Sequence, residues 1–275
     1  MKKLLTVVVA VLMAATCMFG LTACNTQTVK IGAQQGTTGF TYASCLKGCV
    51  TSGYTTPANA VTDMKNGKID YVIVDKATAT NLENNIEGIK VIDIALTTEQ
   101  YAIGVDKNQA ELKTAIDGIL TLRALEIQAI IAKYMAGDED NYEIISGGTV
   151  DTANPAGQLV VATNAEFAPF EFVNGNGFSG IDIEIAKLIA DSLNLELVIQ
   201  DMKFEAVVSA VGKNNIDVAM AAMTVTAARK QSINFSNSYY TEAQVVVALE
   251  SDTALDEAGT VVDVLAVLCA GAING

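Results

Sequence analysis

From residue 28 onward, short apolar runs alternate with amphipathic stretches, and polar turns separate them. Residues 29–33 read as a strand, followed by a Gly/Thr-rich loop through Gly39. Residues 57–66 have helical spacing, with Pro57 in the first turn, where its missing N–H costs nothing, and Gly67 as the stop. The pattern then predicts strands at 70–74, 89–94 and 101–105, a helix at 77–84, and helical sequence from about 109 to 135. Residues 137–157 are polar, contain Gly147, Gly148, Pro155 and Gly157, and form the best linker candidate. A second alternating run follows: strand 158–162, helix 181–193, strand 195–199, helix 204–212, and strands at 215–221 and 239–249. In the 181–193 helix, Ile181, Ile185, Leu188 and Ile189 form one apolar stripe, which leaves Asp182, Glu184 and Lys187 facing outward.

The two runs echo each other. Residues 60–72 and 207–219 each place a helix, a tight polar turn and an Ile-Asp pair (Ile69-Asp70, Ile216-Asp217) before an apolar strand. Such alternation predicts an α/β fold of two similar lobes, each a mostly parallel sheet flanked by helices. Ligands of these architectures sit at the C-terminal ends of strands, in the crevice between lobes.

The N-terminus has a different pattern. Met1-Lys2-Lys3 is basic, residues 4–20 are almost unbroken apolar sequence, and Leu21-Thr22-Ala23-Cys24 closes the run, so residues 1–23 predict an export signal. Cys24 after Leu-x-Ala resembles the bacterial lipobox. That resemblance implies a lipid on the Cys24 thiol and a protein on the outer face of the bacterial membrane or in the periplasm. A plain signal peptide or an uncleaved anchor helix is the alternative reading.

Over the whole chain, 31 acidic residues face 17 basic ones, a net charge of −14, which sets aside nucleic acid as a partner. There is no histidine, which excludes Ser-His and Cys-His catalysis and His-ligated metals. No metal and no cofactor is expected. Cys45 and Cys49 lie in an exported context that permits a disulfide, while Cys269 stands alone.

The richest chemistry lies in Ala221-Ala222-Met223-Thr224-Val225-Thr226-Ala227-Ala228-Arg229. Small residues at a strand end leave backbone N–H groups approachable. Two hydroxyls follow, and a guanidinium can grip both oxygens of a carboxylate. The same residues also fit a plain strand–loop–helix corner, with Thr224 or Thr226 as N-cap and Arg229 solvated.

Several segments together resemble the polar amino-acid-binding proteins of ABC importers, the family 3 extracellular solute-binding proteins. Residues 159–172, with Ala165-Glu166-Phe167-Ala168-Pro169-Phe170, are similar to their opening strand and loop. Gly180-Ile181-Asp182-Ile183-Glu184 is similar to their first helix, and residues 221–240 to their carboxylate-binding corner. Residues 32–39 and 69–75 are similar to two site segments of the second lobe. The resemblance covers about residues 28–250 and implies a two-lobed, periplasmic-binding-protein-like (type II) fold. It also implies a permease as partner, a monomer and no catalysis.

Position by position, it implies an α-amino acid site. Arg229 pairs with the ligand carboxylate, Thr224 and the Ala222 backbone donate to it, and Thr38 and Thr37 reach it from the other lobe. Asp75 takes the α-ammonium group, Phe167 and Phe204 form walls, and Asn164 and Gln34 lie near the ligand's polar end. Read alone, Asp75 could cap the 77–84 helix, the two phenylalanines could be plain core, and residues 35–39 could cradle a phosphate. The family usually has aspartate at Asn164 and glycine at Ala222. Neutral Asn164 and Gln34 favour a neutral polar ligand such as glutamine or cystine. The alternatives are a rearranged, non-binding or sensor homologue, or a dehydratase-like enzyme using Glu166 or Asp75 as acid or base.

The order of segments departs from the family and matches a circular permutation. Second-lobe sequence occupies 28–94, the closing part of the first lobe 95–137, a linker 138–157, the opening part of the first lobe 158–250, and a tail 251–275. This order predicts a single crossing between lobes near residues 94–101, with Val261-Val262-Asp263-Val264-Leu265-Ala266-Val267 adding a strand to the second lobe. A truncated or rearranged gene product is the alternative.

Overall fold

A computed structural model describes residues 28–270; the expected export signal and Cys24 lie outside them. The chain opens with β1 (Val29–Gln34), α1 (Thr38–Cys45), β2 (Cys49–Tyr54), α2 (Pro57–Lys65), β3 (Tyr71–Asp75), α3 (Lys76–Asn85) and β4 (Ile89–Ile92). It continues through β5 (Glu99–Val105), α4 (Ala110–Leu122) and α5 (Ala124–Met135). After an irregular stretch come β6 (Gln158–Thr163), β7 (Glu166–Phe167), β8 (Glu171–Asn174), β9 (Gly177–Ser179), α6 (Ile181–Ser192), β10 (Glu196–Asp201), α7 (Phe204–Ala210) and β11 (Val218–Ala219). The last elements are β12 (Asn234–Glu242), β13 (Gln244–Leu249) and α8 (Val261–Leu268).

These elements form two five-stranded sheets, ordered β2-β1-β3-β13-β4 and β10-β6-β11-β5-β12, with a small β7-β8-β9 sheet beside the second. β1 runs parallel to β2 and β3, and β6 runs parallel to β10 and β11. Each large sheet contains one reversed strand: β13 is antiparallel to β3 and β4, and β5 is antiparallel to β11 and β12. The reversed strand is in each case the one that arrives from the other sheet.

That arrangement corrects the expected crossings. The run 239–249 is not one strand. β12 ends at Glu242 in the second sheet, Ala243 intervenes, and β13 starts at Gln244 in the first. The two sheets are therefore joined twice, once between β4 and β5 and once at Ala243, and residues 244–249 do not belong with the sheet expected for 158–250.

The end of the chain is also corrected. Residues 261–267 are helical, although Val261 and Val262 favour strands. A capping box decides the local structure: the Asp263 N–H donates to Thr260 Oγ1 at 3.3 Å, and the Thr260 N–H donates to the Asp263 carboxylate at 2.8 Å. The helix then buries Val264 and Leu268 completely among Ile31, Val246 and Ala248 of the first sheet.

Other differences are local. The sequence from 109 to 135 breaks at Arg123 into two helices. The strand expected at 215–221 is only two residues long, because Asn214 and Asn215 adopt left-handed backbone at φ 50° and 63°. Asp182 and Glu184 do not face outward. Asp182 is fully buried and Glu184 nearly so, the latter held by Lys133 Nζ and the Tyr134 hydroxyl, each at 2.6 Å. These bonds fasten α5 to α6 and thereby join segment 124–135 to segment 181–192. Cys45 and Cys49 are free thiols, and the Cys49 thiol donates to the Leu46 carbonyl at 3.3 Å.

Candidate functional site

The C-terminal ends of β1 and β3 face the C-terminal ends of β6 and β11, and nine residues close in on a space of about 10 Å³ between them. Thr37, Thr38 and Asp75 come from the first sheet's side; Phe167, Phe204, Ala221, Ala222, Thr224 and Arg229 come from the second's. That is about the room one water needs, far below the roughly 300 Å³ at which ligand pockets begin, so a solute enters only if the two sides part.

Each side chain is placed by local chemistry. Thr37 caps α1: its hydroxyl accepts from the Phe40 N–H at 3.1 Å and donates to the Gln34 carbonyl at 2.7 Å. Its hydroxyl is thereby committed locally. Asp75 stands at the N-cap position of α3 but makes no cap bond there. The Tyr101 hydroxyl donates to it instead. Burial, reinforced by the Glu99 carboxylate, pushes the Asp75 pKa up to about 7. Arg229 lies on a 3-10 turn, Arg229–Gln231, not on an α-helix. Thr226 supports that turn by accepting from the Arg229 N–H at 3.1 Å.

The Arg229 guanidinium spans the two sheets. Nη1 donates to the Thr224 carbonyl at 2.8 Å and Nη2 to the Gly36 carbonyl at 3.1 Å, with the Phe204 ring 5.3 Å from its carbon. Burial lowers its pKa, while the nearby Asp75 and Glu99 charges raise it. Phe167 is buried against Phe170, with ring centroids 6.3 Å apart. Phe204 is only half-buried and is the more open wall.

The geometry engages five of the expected site residues in bonds within the protein. The Ala222 N–H donates to Asp182 Oδ2 at 2.8 Å, so it is committed to the buried acid of α6. Gln34 and Asn164 do not line the cavity. Gln34 Nε2 donates to Asn164 Oδ1 at 2.8 Å, a direct bridge between the two sides, and Asn164 Nδ2 donates to the Met202 carbonyl. The hydroxyls of Thr38 and Thr224 both donate to Glu99 Oε2, at 2.7 and 2.6 Å.

Glu99, which receives both hydroxyls, is the residue beside the site that pattern reading did not single out. It begins β5 at the crossing and is buried. Its other oxygen takes the Thr97 hydroxyl at 3.0 Å, and Gln244 Nε2 reaches Thr38 Oγ1 at 3.3 Å. A Thr-Thr-Glu-Gln run before a strand carries no signal of burial. The echo between the two crossings was the available clue, because Gln244 begins β13 as Glu99 begins β5.

Two α/β lobes are joined by two crossings and meet over a small polar cavity. Residues 159–261 match the model of the bacterial extracellular solute-binding proteins, family 3. It is 30% identical over 109 residues to the arginine-binding extracellular protein ArtP of Bacillus subtilis, covering 39% of this chain and 43% of that protein. It is 34% identical over 96 residues to a probable histidine-binding protein of Neisseria gonorrhoeae, covering 34% and 36%. Among solved structures, the arginine-bound form of domain 1 from TmArgBP is 30% identical, covering 46% of this chain and all of that one, with a TM-score of 0.30. The chain thus matches less than half the length of these two curated relatives.

Proposed function

We propose that the protein captures a small polar α-amino acid between its lobes and presents it to an ABC importer from outside the cell membrane, held there by a lipid on Cys24. One observation carries the reading: Asp75 and Arg229, an acid and a guanidinium from opposite sheets, line the same small cavity as Phe167 and Phe204. In this reading the guanidinium holds the carboxylate, Asp75 holds the α-ammonium group, and the rings enclose the side chain. The closed form gives the ligand contacts to both lobes at once, so binding shifts the population toward closure. The relatives named for binding arginine or histidine support an amino acid as the solute. A neutral side chain such as that of glutamine or cystine stays the preferred one on sequence grounds alone, because Asn164 stands where the resemblance implies an aspartate. The permuted order of lobes remains part of the proposal, with residues 138–157 as the join.

A thermal-shift screen of the twenty amino acids plus cystine tests this function. One or a few should raise the melting temperature in a saturable way, by the free energy RT ln(1 + [L]/Kd). A flat screen would sink the reading.

A further inference from the structure

The hydrogen bonds around Glu99 change the character of the cavity. A threonine hydroxyl has one proton to give, and an ionised carboxylate only accepts. With Thr38 and Thr224 both donating to Glu99 Oε2, neither hydroxyl has a proton left for a ligand. What they can offer the cavity is lone pairs, of which Thr38 already shares one with Gln244 Nε2 at 3.3 Å. The Ala222 N–H is likewise committed to Asp182. The donors usually aimed at a carboxylate are therefore used internally, except for the remaining N–H groups of Arg229. Acceptors, in contrast, accumulate: Asp75 lines the cavity, and Glu99 and Glu242 lie close enough to raise its pKa.

We propose that Glu99 sets the charge preference of the site: by taking the hydroxyl protons of Thr38 and Thr224 it turns both residues into acceptors, so that the solute is recognised chiefly through a protonated amine. This inference rests on the amino-acid reading and narrows it. The ammonium group meets Asp75 and the two hydroxyl oxygens, while the carboxylate depends on Arg229 alone. A primary amine lacking a free carboxylate belongs to the same ligand class, and an acid with a blocked amine does not.

Glu99→Gln is the discriminating variant, because it keeps the shape while its amide can donate to a threonine oxygen and release a hydroxyl proton toward the cavity. Titration calorimetry of the full chain would use L-arginine, L-argininamide and Nα-acetyl-L-arginine, together with L-glutamine, L-glutaminamide and N-acetyl-L-glutamine. Within the series that binds, the parent should take the amide within about tenfold of the amino acid and the N-acetyl form at least a hundredfold more weakly. Glu99→Gln should weaken the amide and strengthen the N-acetyl form, each by about tenfold, with a melting curve as sharp as the parent's. If the parent prefers the N-acetyl form to the amide, or if Glu99→Gln leaves the ratios among the three unchanged, the inference is overturned while the amino-acid site stands. If none of the six probes binds, the inference falls. The amino-acid reading falls with it only where the twenty-amino-acid screen is also blank.

Discussion

Ala222 holds a backbone φ of 48°, the left-handed region that costs a residue with a Cβ about 1 kcal/mol. The position tolerates this because its N–H anchors Asp182. Replacing Ala222 by glycine should relieve the strain and raise the melting temperature by about 2–4 °C in a calorimetric scan, with no loss of the Asp182 bond. Asp75 gives the second expectation at this scale. Its pKa of about 7 in the folded protein lies well above the ordinary carboxylate value, so the folded state holds a proton that the unfolded chain releases. Asp75→Asn should therefore melt well above the parent at pH 8 and above it by a smaller margin at pH 5. That Arg229, Thr38, Asp75 and the two phenylalanines meet around one space was legible because the segments that carry them are contiguous in sequence. Glu99 and Tyr101 were not, because an acid and a phenol acquire their meaning only when a crossing strand carries them beneath Thr224 and Asp75.

At the scale of elements, periodicity located β1, β3, β6, α2, α3 and α6 to within a residue or two, because each buries a clear face. It missed α1 and β2, where Thr38–Cys45 and Cys49–Tyr54 mix small and polar residues and the strand is largely half-exposed. It also merged β12 with β13, since Glu242 and Gln244 are polar residues that happen to be buried at a crossing. The tail 261–268 shows a cap overriding intrinsic preference, and its buried contacts make it an integral part of the first sheet's cover. Leu268→Ala should cost about 2–5 kcal/mol in urea unfolding. A loss below about 0.5 kcal/mol would mean that α8 contributes little to the lobe.

Over the whole molecule, buried acids dominate the response to pH. Burial raises the pKa of Asp75 to about 7 and of Asp182 to about 6, and shifts Glu171 and Glu242 upward as well. Glu171 is fully buried with neither carboxylate oxygen hydrogen-bonded. Groups with raised pKa values bind more protons when folded, so their stabilising contribution is present at low pH and is lost as pH rises through the folded values. The melting temperature should accordingly be higher near pH 5 than near pH 8. A protein more stable at pH 8 would contradict this ledger of buried acids.

The two lobes and the crevice between them were legible from alternating patterns alone. The second crossing was not, and it matters because it supplies Gln244 to Glu99's surroundings. The claim on which the account turns is that Asp75 and Arg229 hold the two ends of one amino acid across the closed lobes. Titration calorimetry of Asp75→Asn against the parent, with the amino acid that gives the largest thermal shift, tests it most directly. Removing one partner of a desolvated charge pair typically costs about 2–5 kcal/mol, so the parent should show one site per chain and the variant an affinity lower by about a hundredfold. Equal affinity in a folded Asp75→Asn protein would contradict it.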